Sequence, residues 1–82
     1  MERIIQKQSP LLGTNIKNLR IQNNLRNRDV VTQLQLRGVE MNTSTYSKIE
    51  NGKCGVPVGV LIALTDIFRC DFNALFEQEN KH

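Results

Sequence analysis

The chain has 82 residues, 39% of them hydrophobic and only 5% aromatic, so it should form one small domain with an aliphatic core rather than a disordered chain. The net charge of +3 is uneven, since residues 1–53 hold nine Lys/Arg against four acidic residues and residues 54–82 hold two against four. The positive part suits a polyanionic partner, although ordinary variation in surface charge explains the asymmetry equally well.

Cysteine and histidine content argues against a metal site or a disulfide framework. Cys54 and Cys70 stand at no metal-binding spacing, and the single histidine is the terminal His82. Free thiols are typical of a reducing cytosol, so a cytoplasmic protein is expected. The N-terminus lacks the apolar run of a signal peptide, and the most apolar window, residues 56–64, is too short to cross a bilayer.

The first predicted helix begins at Ser9-Pro10, because serine is a favourable N-cap and proline fits the first helical position. It should end near residue 23. Its apolar stripe consists of Leu12, Ile16 and Leu19. Residues 1–8 are polar and are expected to form a flexible tail.

A second helix is predicted from about Asn27 to Arg37, with Gly38 closing it. Asp29 lies in its first turn, where a carboxylate suits the positive end of the helix. Its apolar side is expected to comprise Val30, Val31, Leu34 and Leu36.

The third predicted helix is the one around which the chain is organised. Asn42 is a favourable N-cap and Gly52 a favourable stop. Tyr46 and Ile49 are three residues apart and share an inner face. The other face is small, polar and carries one cation: Thr43, Ser44, Ser47 and Lys48. An apolar back with a short hydrogen-bonding front predicts a helix that docks on a polar partner.

Two further helices complete the predicted all-α bundle of five. The fourth should run from residues 57–58 to 68–69 and, being apolar over much of its surface, should be the central strut. Asp71 should cap a last short helix, whose inner face is expected to comprise Phe72, Leu75 and Phe76. The domain is therefore predicted over residues 9–77, with a polar C-terminal tail at residues 78–82. Alternation typical of strands is weak throughout.

Four blocks of sequence resemble the XRE/Cro-type (lambda-repressor-like) helix-turn-helix family over about residues 11–77. They are Leu12-Gly13-x-x-Ile16-Lys17-x-Leu19-Arg20, Ser44-Thr45-Tyr46-Ser47-Lys48-Ile49-Glu50-Asn51-Gly52-Lys53, Val56-Pro57-Val58-x-Val60-Leu61-x-x-Leu64-x-x-Ile67-Phe68 and Asp71-Phe72-x-x-Leu75-Phe76. The second block is fairly specific to the family, and the order and spacing of the others reinforce it.

This resemblance implies a small transcriptional regulator, expected to be a repressor, that binds double-stranded DNA sequence-specifically. The third helix would lie in the major groove, with base contacts from Thr43, Ser44, Ser47 and Lys48. Phosphate contacts would come from Lys17, Asn27, Arg28, Asn51 and Lys53. One such helix touches few base pairs, so a homodimer on an inverted repeat is expected, with its surface around residues 72–76.

The family pattern also implies an ion pair between Arg20 and Glu50, which would pin the first helix to the end of the third. The sequence departs from the pattern in three places, one of which is Val31, where a small alanine commonly packs. Residues 26–29, Arg-Asn-Arg-Asp, replace the usual Ser/Thr-Gln start of the second helix, and the link at residues 35–41 is longer than in phage repressors. The tilt between the second and third helices therefore stays open.

Enzymatic functions have little support in the sequence. There is no internal histidine for a nucleophilic triad and no phosphate-binding glycine loop, so no catalytic residue, cofactor or small-molecule ligand is predicted. The alternative function is a protein-interaction module on the same scaffold, such as an antitoxin-like or accessory regulatory partner. A strong acidic or apolar patch in residues 54–82 would favour it.

Overall fold

The computed structural model describes residues 10–76, which form five helices. These are α1 (Pro10–Gln22), α2 (Asn27–Leu36), α3 (Thr43–Glu50), α4 (Val58–Phe68) and α5 (Phe72–Phe76). No strand occurs in this part of the chain, so the predicted all-α bundle of five helices is confirmed there. The predicted tails, the Ser9 cap and the last domain residue, Glu77, lie outside the described residues.

Helices α1 to α4 all end in the same way, with one residue in the left-handed conformation. These residues are Asn24, Gly38, Gly52 and Arg69, with φ of 58°, 83°, 73° and 57°. The amide after each one bonds back into the last helical turn, as when Lys53 N donates to Lys48 O at 2.8 Å. Glycine and asparagine favour this conformation, so their role as stops was predictable, whereas Arg69 adopts it against its own preference.

The core lies between the helices and is almost entirely aliphatic. Helix α1 contacts α3 and α5, α2 contacts α3 and α4, and α4 contacts α5. The fully buried large side chains are Ile16, Val30, Leu34, Tyr46, Ile49, Leu64 and Leu75. Each helix contributes at least one of them, so none of the five is a peripheral addition to the bundle.

One buried polar side chain joins the two ends of the described chain. Asn15, 8% exposed, donates from Nδ2 to the carbonyl of Leu75 at 2.8 Å. A buried amide needs such a partner. The bond ties the middle of α1 to the short α5, which is too short to be stable alone.

Several residues predicted to face inward are exposed instead. Leu36 is 73% exposed, because it lies two residues, about 200° of helical rotation, beyond the buried Leu34. Phe72 and Phe76 are 46% and 50% exposed, because Leu75 takes the inward direction of α5 and the two rings flank it. These three inward assignments were wrong.

Helix α4 is also less buried than a central strut would be. Val60, Ala63, Leu64 and Phe68 form its buried face. Val58 and Ile62, one turn apart on the opposite side, are 66% and 54% exposed. The helix therefore contacts α2 and α5 on one side and presents an apolar strip on the other.

Candidate nucleic-acid interface

The inner face of α3 is held by packing on α1 and α2. Tyr46 is 0% and Ile49 1% exposed. The Tyr46 hydroxyl has no hydrogen-bond partner among the described residues. Burial, reinforced by the nearby Glu50 carboxylate, raises the pKa of this phenol far above its ordinary value. Tyr46 therefore stays neutral and acts as a packing residue.

The ion pair between Arg20 and Glu50 is present and bidentate. Arg20 Nε donates to Glu50 Oε2 at 2.7 Å and Nη2 to Oε1 at 3.2 Å, while Nη1 donates to the Leu25 carbonyl at 3.0 Å. The two side chains are 16% and 7% exposed. The hydrogen bond with Glu50 raises the pKa of Arg20 above its ordinary value. The guanidinium thus fixes the C-terminal turn of α3 to α1 and to the turn that follows α1.

Gly13 supplies a second attachment between α1 and α3. A Cβ atom at this position would lie 2.5 Å from both the Ile49 and the Glu50 carbonyl oxygens. The last turn of α3 therefore packs backbone to backbone on α1. The sequence showed Gly13 only as part of a motif, and nothing local signalled that this contact needs a residue without a side chain.

The outer face of α3 presents three of the four predicted base-reading residues. Thr43, Ser44 and Lys48 are exposed, and no hydrogen bond or ion pair joins their side chains to any described residue. Asn42 caps this helix by accepting from Thr45 N at 2.8 Å. A fixed helix thus carries a free polar surface.

Ser47, the fourth predicted base reader, has a different environment. It is half-buried, and its Oγ accepts a hydrogen bond from Asn27 Nδ2 at 2.9 Å. Asn27 is itself half-buried, and its Oδ1 is a buried atom without a partner among residues 10–76. The structure therefore joins a predicted base-reading residue to a predicted phosphate-contacting residue.

The remaining phosphate candidates lie at the surface. Lys17, Arg28, Asn51 and Lys53 are all exposed. Asn51 and Lys53 flank Gly52 in the turn that ends α3, and the Lys53 amide is already bonded to Lys48 O. At this turn, Lys53 can therefore offer its side-chain cation but not its backbone amide.

The start of α2 is stabilised despite lacking a conventional cap. The Asp29 carboxylate accepts from the Arg26 amide at 2.7 Å, which is one half of a capping box. This backbone hydrogen bond is the main reason why the pKa of Asp29 lies below its usual value. The second helix, which lacks the usual Ser/Thr-Gln start, thus begins after Arg26, which is in extended conformation before the first turn.

Other kinds of site find little support in the described residues. None of the helices in residues 10–76 is long and apolar enough to cross a membrane. Over the same range, His, Cys, Asp and Glu form no group of three that could hold a metal ion. Cys54 and Cys70 are free and half-buried, and burial raises the pKa of the Cys70 thiol.

Comparison with known proteins agrees with this geometry. A family model described as a helix-turn-helix domain matches residues 11–75, which span nearly the whole described bundle. No significant match was found among curated proteins or among solved structures. In helix-turn-helix domains the second helix of the motif contacts DNA. The chain belongs to the helix-turn-helix domain family, whose members typically bind DNA rather than catalyse a reaction.

Proposed function

We propose that the protein is an XRE/Cro-type transcriptional regulator that binds double-stranded DNA sequence-specifically, with α3 in the major groove. The observation that carries this proposal is the contrast between the two faces of α3. Its inner face is fixed by Tyr46, Ile49 and the Arg20–Glu50 pair. On its outer face, the side chains of Thr43, Ser44 and Lys48 have no partner among the described residues. A preorganised polar helix surface is what base readout requires.

The exposed side chains of α3 match the hydrogen-bonding groups of the major groove. Lys48 can donate to guanine O6 or N7, and the hydroxyls of Thr43 and Ser44 can donate or accept. The threonine methyl can also contact a thymine methyl. Because the side chains of Thr43 and Ser44 are short, the helix must approach the bases closely. The phosphate contacts beside the helix would set how deeply it enters the major groove.

Phosphate contacts are assigned to five residues around α3. They are Lys17 on α1, Asn27 and Arg28 at the start of α2, and Asn51 and Lys53 after α3. Three of them are cations, and each neutralised phosphate releases counterions. The affinity for DNA should therefore fall steeply as the salt concentration rises.

A homodimer on an inverted repeat follows from the small footprint of one recognition helix. The half-sites would lie about one helical turn, roughly 34 Å, apart. The exposed rings of Phe72 and Phe76 on α5 support a contact with a second copy at that end of the bundle. Bound at an operator, the dimer would act as a repressor by blocking polymerase.

The test compares the DNA affinity of a variant that lacks the cation on α3 with that of a variant that lacks a cation elsewhere. Lys48→Gln should weaken binding to a selected DNA site about tenfold. Arg69→Asn removes the same charge from the exposed end of α4, and asparagine suits the left-handed backbone at this position. The affinity of this variant for DNA should therefore match that of the parent. Equal affinities for the two variants and the parent would rule out α3 as the reading helix.

The alternative is a protein-interaction module, and one observation favours it. Val58 and Ile62 form an exposed apolar strip on α4, and an open groove lies beside it. Pull-down with Ile62→Lys against the parent tests this alternative. The protein-interaction module would be favoured over the regulator by two results together. The parent would bind a partner protein that Ile62→Lys does not bind, and the parent would show no preference among DNA sequences.

A further inference from the structure

We propose that Ser47 is a positioning residue rather than a base reader, and that Asn27 acts through it to set how α3 lies against α2. This inference rests on the proposed function, because it concerns which residues of α3 determine base preference. It leaves Thr43, Ser44 and Lys48 as the base-reading set. The inference rests on the one hydrogen bond among the described residues that joins the side chains of α2 and α3.

The Asn27–Ser47 bond connects elements that are distant in sequence. Asn27 is the first residue of α2 and Ser47 lies in the middle of α3, 20 residues later. The donor–acceptor distance of 2.9 Å is ordinary for a good hydrogen bond, and the bond is partly shielded from water. It therefore fixes the separation of the two helices at the point where α2 begins.

The Ser47 hydroxyl has little capacity left for a base. A hydroxyl has one donor and two acceptor sites. One acceptor site is used by Asn27, and a serine inside a helix can direct its proton to a carbonyl of the preceding turn. Ser47 is also half-buried, unlike Thr43, Ser44 and Lys48. A base edge would therefore meet a hydroxyl that is half-buried and already bonded to Asn27.

The side-chain amide of Asn27 is committed to this contact in either orientation, so the phosphate contact proposed for Asn27 would be made by its backbone amide at the start of α2. With Nδ2 towards Ser47, the amide donates, and Oδ1 lies buried without a partner among the described residues. Rotating the amide by half a turn would let Oδ1 accept the Ser47 proton and would bury Nδ2 instead. Either arrangement retains one bond between the two side chains, so the link does not depend on which atom faces the serine.

A positioning role and a reading role have different consequences for DNA binding. A residue that only holds α3 in place affects all base contacts together, so its loss lowers affinity for every sequence by a similar factor. A residue that contacts one base pair changes preference at that pair. The two roles therefore separate when affinity is measured over a full set of single-base variants of a selected site.

The experiment measures such affinity profiles for five variants of the full chain, with circular dichroism to establish that each is folded. They are Ser47→Ala, Asn27→Ala, the double variant, Ser47→Thr and Ser44→Ala. The last is the matched control, because it deletes the same hydroxyl one turn earlier on the exposed face. We expect Ser47→Ala and Asn27→Ala each to lower affinity about fivefold for all sequences, the effect of one ordinary hydrogen bond.

The double variant should lose no more than either single variant, because both remove the same bond. Ser47→Thr keeps the hydroxyl and should restore affinity, while Ser44→Ala should alter preference at one base pair. A changed preference in Ser47→Ala, or additive losses in the double variant, would overturn the positioning role. A parent protein without any sequence preference would contradict the proposed function itself, and the inference with it.

Discussion

Helices α3 and α5 begin alike and are held very differently. Both are short, at eight and five residues. Both start with a side-chain cap, since Asn42 accepts from Thr45 N at 2.8 Å and Asp71 accepts from Ala74 N at 3.1 Å. Helices of this length are unstable alone, so the contacts beyond the cap decide what each one can do.

Beyond its cap, α3 has five attachments and α5 has two. Helix α3 is fixed by two buried side chains, by the Arg20–Glu50 pair, by the backbone contact with Gly13 and by the Asn27–Ser47 bond. Helix α5 is fixed by Leu75 and by the bond from Asn15 to its carbonyl. Helix α3 is therefore fixed in position and tilt, whereas α5 leaves two phenylalanine rings half-exposed.

This difference matches the two tasks proposed for the helices. Base readout needs side chains held to within a fraction of an ångström, and α3 has the attachments for this. A contact with a second copy needs an apolar surface that the monomer leaves uncovered, and α5 provides one. Removing the attachments one at a time tests whether they hold α3 more firmly than α5.

The largest effect is expected from Glu50→Gln, which removes one partner of the ion pair and leaves the Arg20 charge largely buried. The free energy of unfolding should fall by about 3 kcal/mol. Glu40→Gln makes the same change at an exposed residue and should stay within about 0.5 kcal/mol of the parent. Urea denaturation measures both, and similar values for the two variants would mean that the pair does not hold α3.

Gly13→Ala should have the next largest effect. The added methyl group would lie too close to two α3 carbonyl oxygens, so the helices must separate, at a cost of about 2 kcal/mol. In α4, a Cβ added at Gly59 meets no atom within 4 Å. Gly59→Ala should therefore stabilise the protein by roughly 0.5 kcal/mol. The two glycine variants should therefore change stability in opposite directions. Thermal denaturation of both variants tests the α1–α3 contact.

Removal of the Asn42 cap and removal of the Asp71 cap should lower the stability of the protein by similar amounts but should affect DNA binding differently. Asn42→Ala and Asp71→Ala should each lower the free energy of unfolding by about 1 kcal/mol. Only Asn42→Ala should also weaken binding to a single DNA half-site, because it frays the first turn of α3, where Thr43 and Ser44 lie, whereas α5 carries only the proposed dimer contact. Equal losses of DNA affinity in the two variants would show that α5 also bears on the DNA-binding surface.

The smallest effect is a change in pH dependence at the start of α2. The pKa of Asp29 is lower in the folded chain than its usual value. Its contribution to stability is therefore present above that usual value and is lost as the pH falls through the folded-state pKa. Between about pH 5 and pH 2, Asp29→Asn should lose less stability than the parent. Identical acid-denaturation curves would contradict the role of Asp29 at this helix start.

Features of α3 that depend on nearby residues could be predicted from the sequence. Asn42 and Gly52 specify where the helix begins and ends, because each acts on backbone groups a few residues away. The ion pair was predictable only through the family resemblance, since Arg20 and Glu50 are 30 residues apart. All of these features describe the helix and its anchor rather than its exact orientation.

Features that depend on how the helices pack could not be predicted. The need for glycine at position 13 arises from an approach of two backbones that no local pattern records. The burial of Ser47 and its bond to Asn27 depend on the crossing of α2 and α3. The exposure of Phe72 and Phe76 follows from the single residue, Leu75, that fills the inward direction of α5.

DNA reading by α3 can be tested by letting the intact protein select bound fragments from a randomised pool of double-stranded DNA. Two short inverted half-sites about 10 base pairs apart, centre to centre, should be enriched. Absence of any enriched sequence, together with binding that depends only on salt concentration, would contradict the claim that α3 reads DNA.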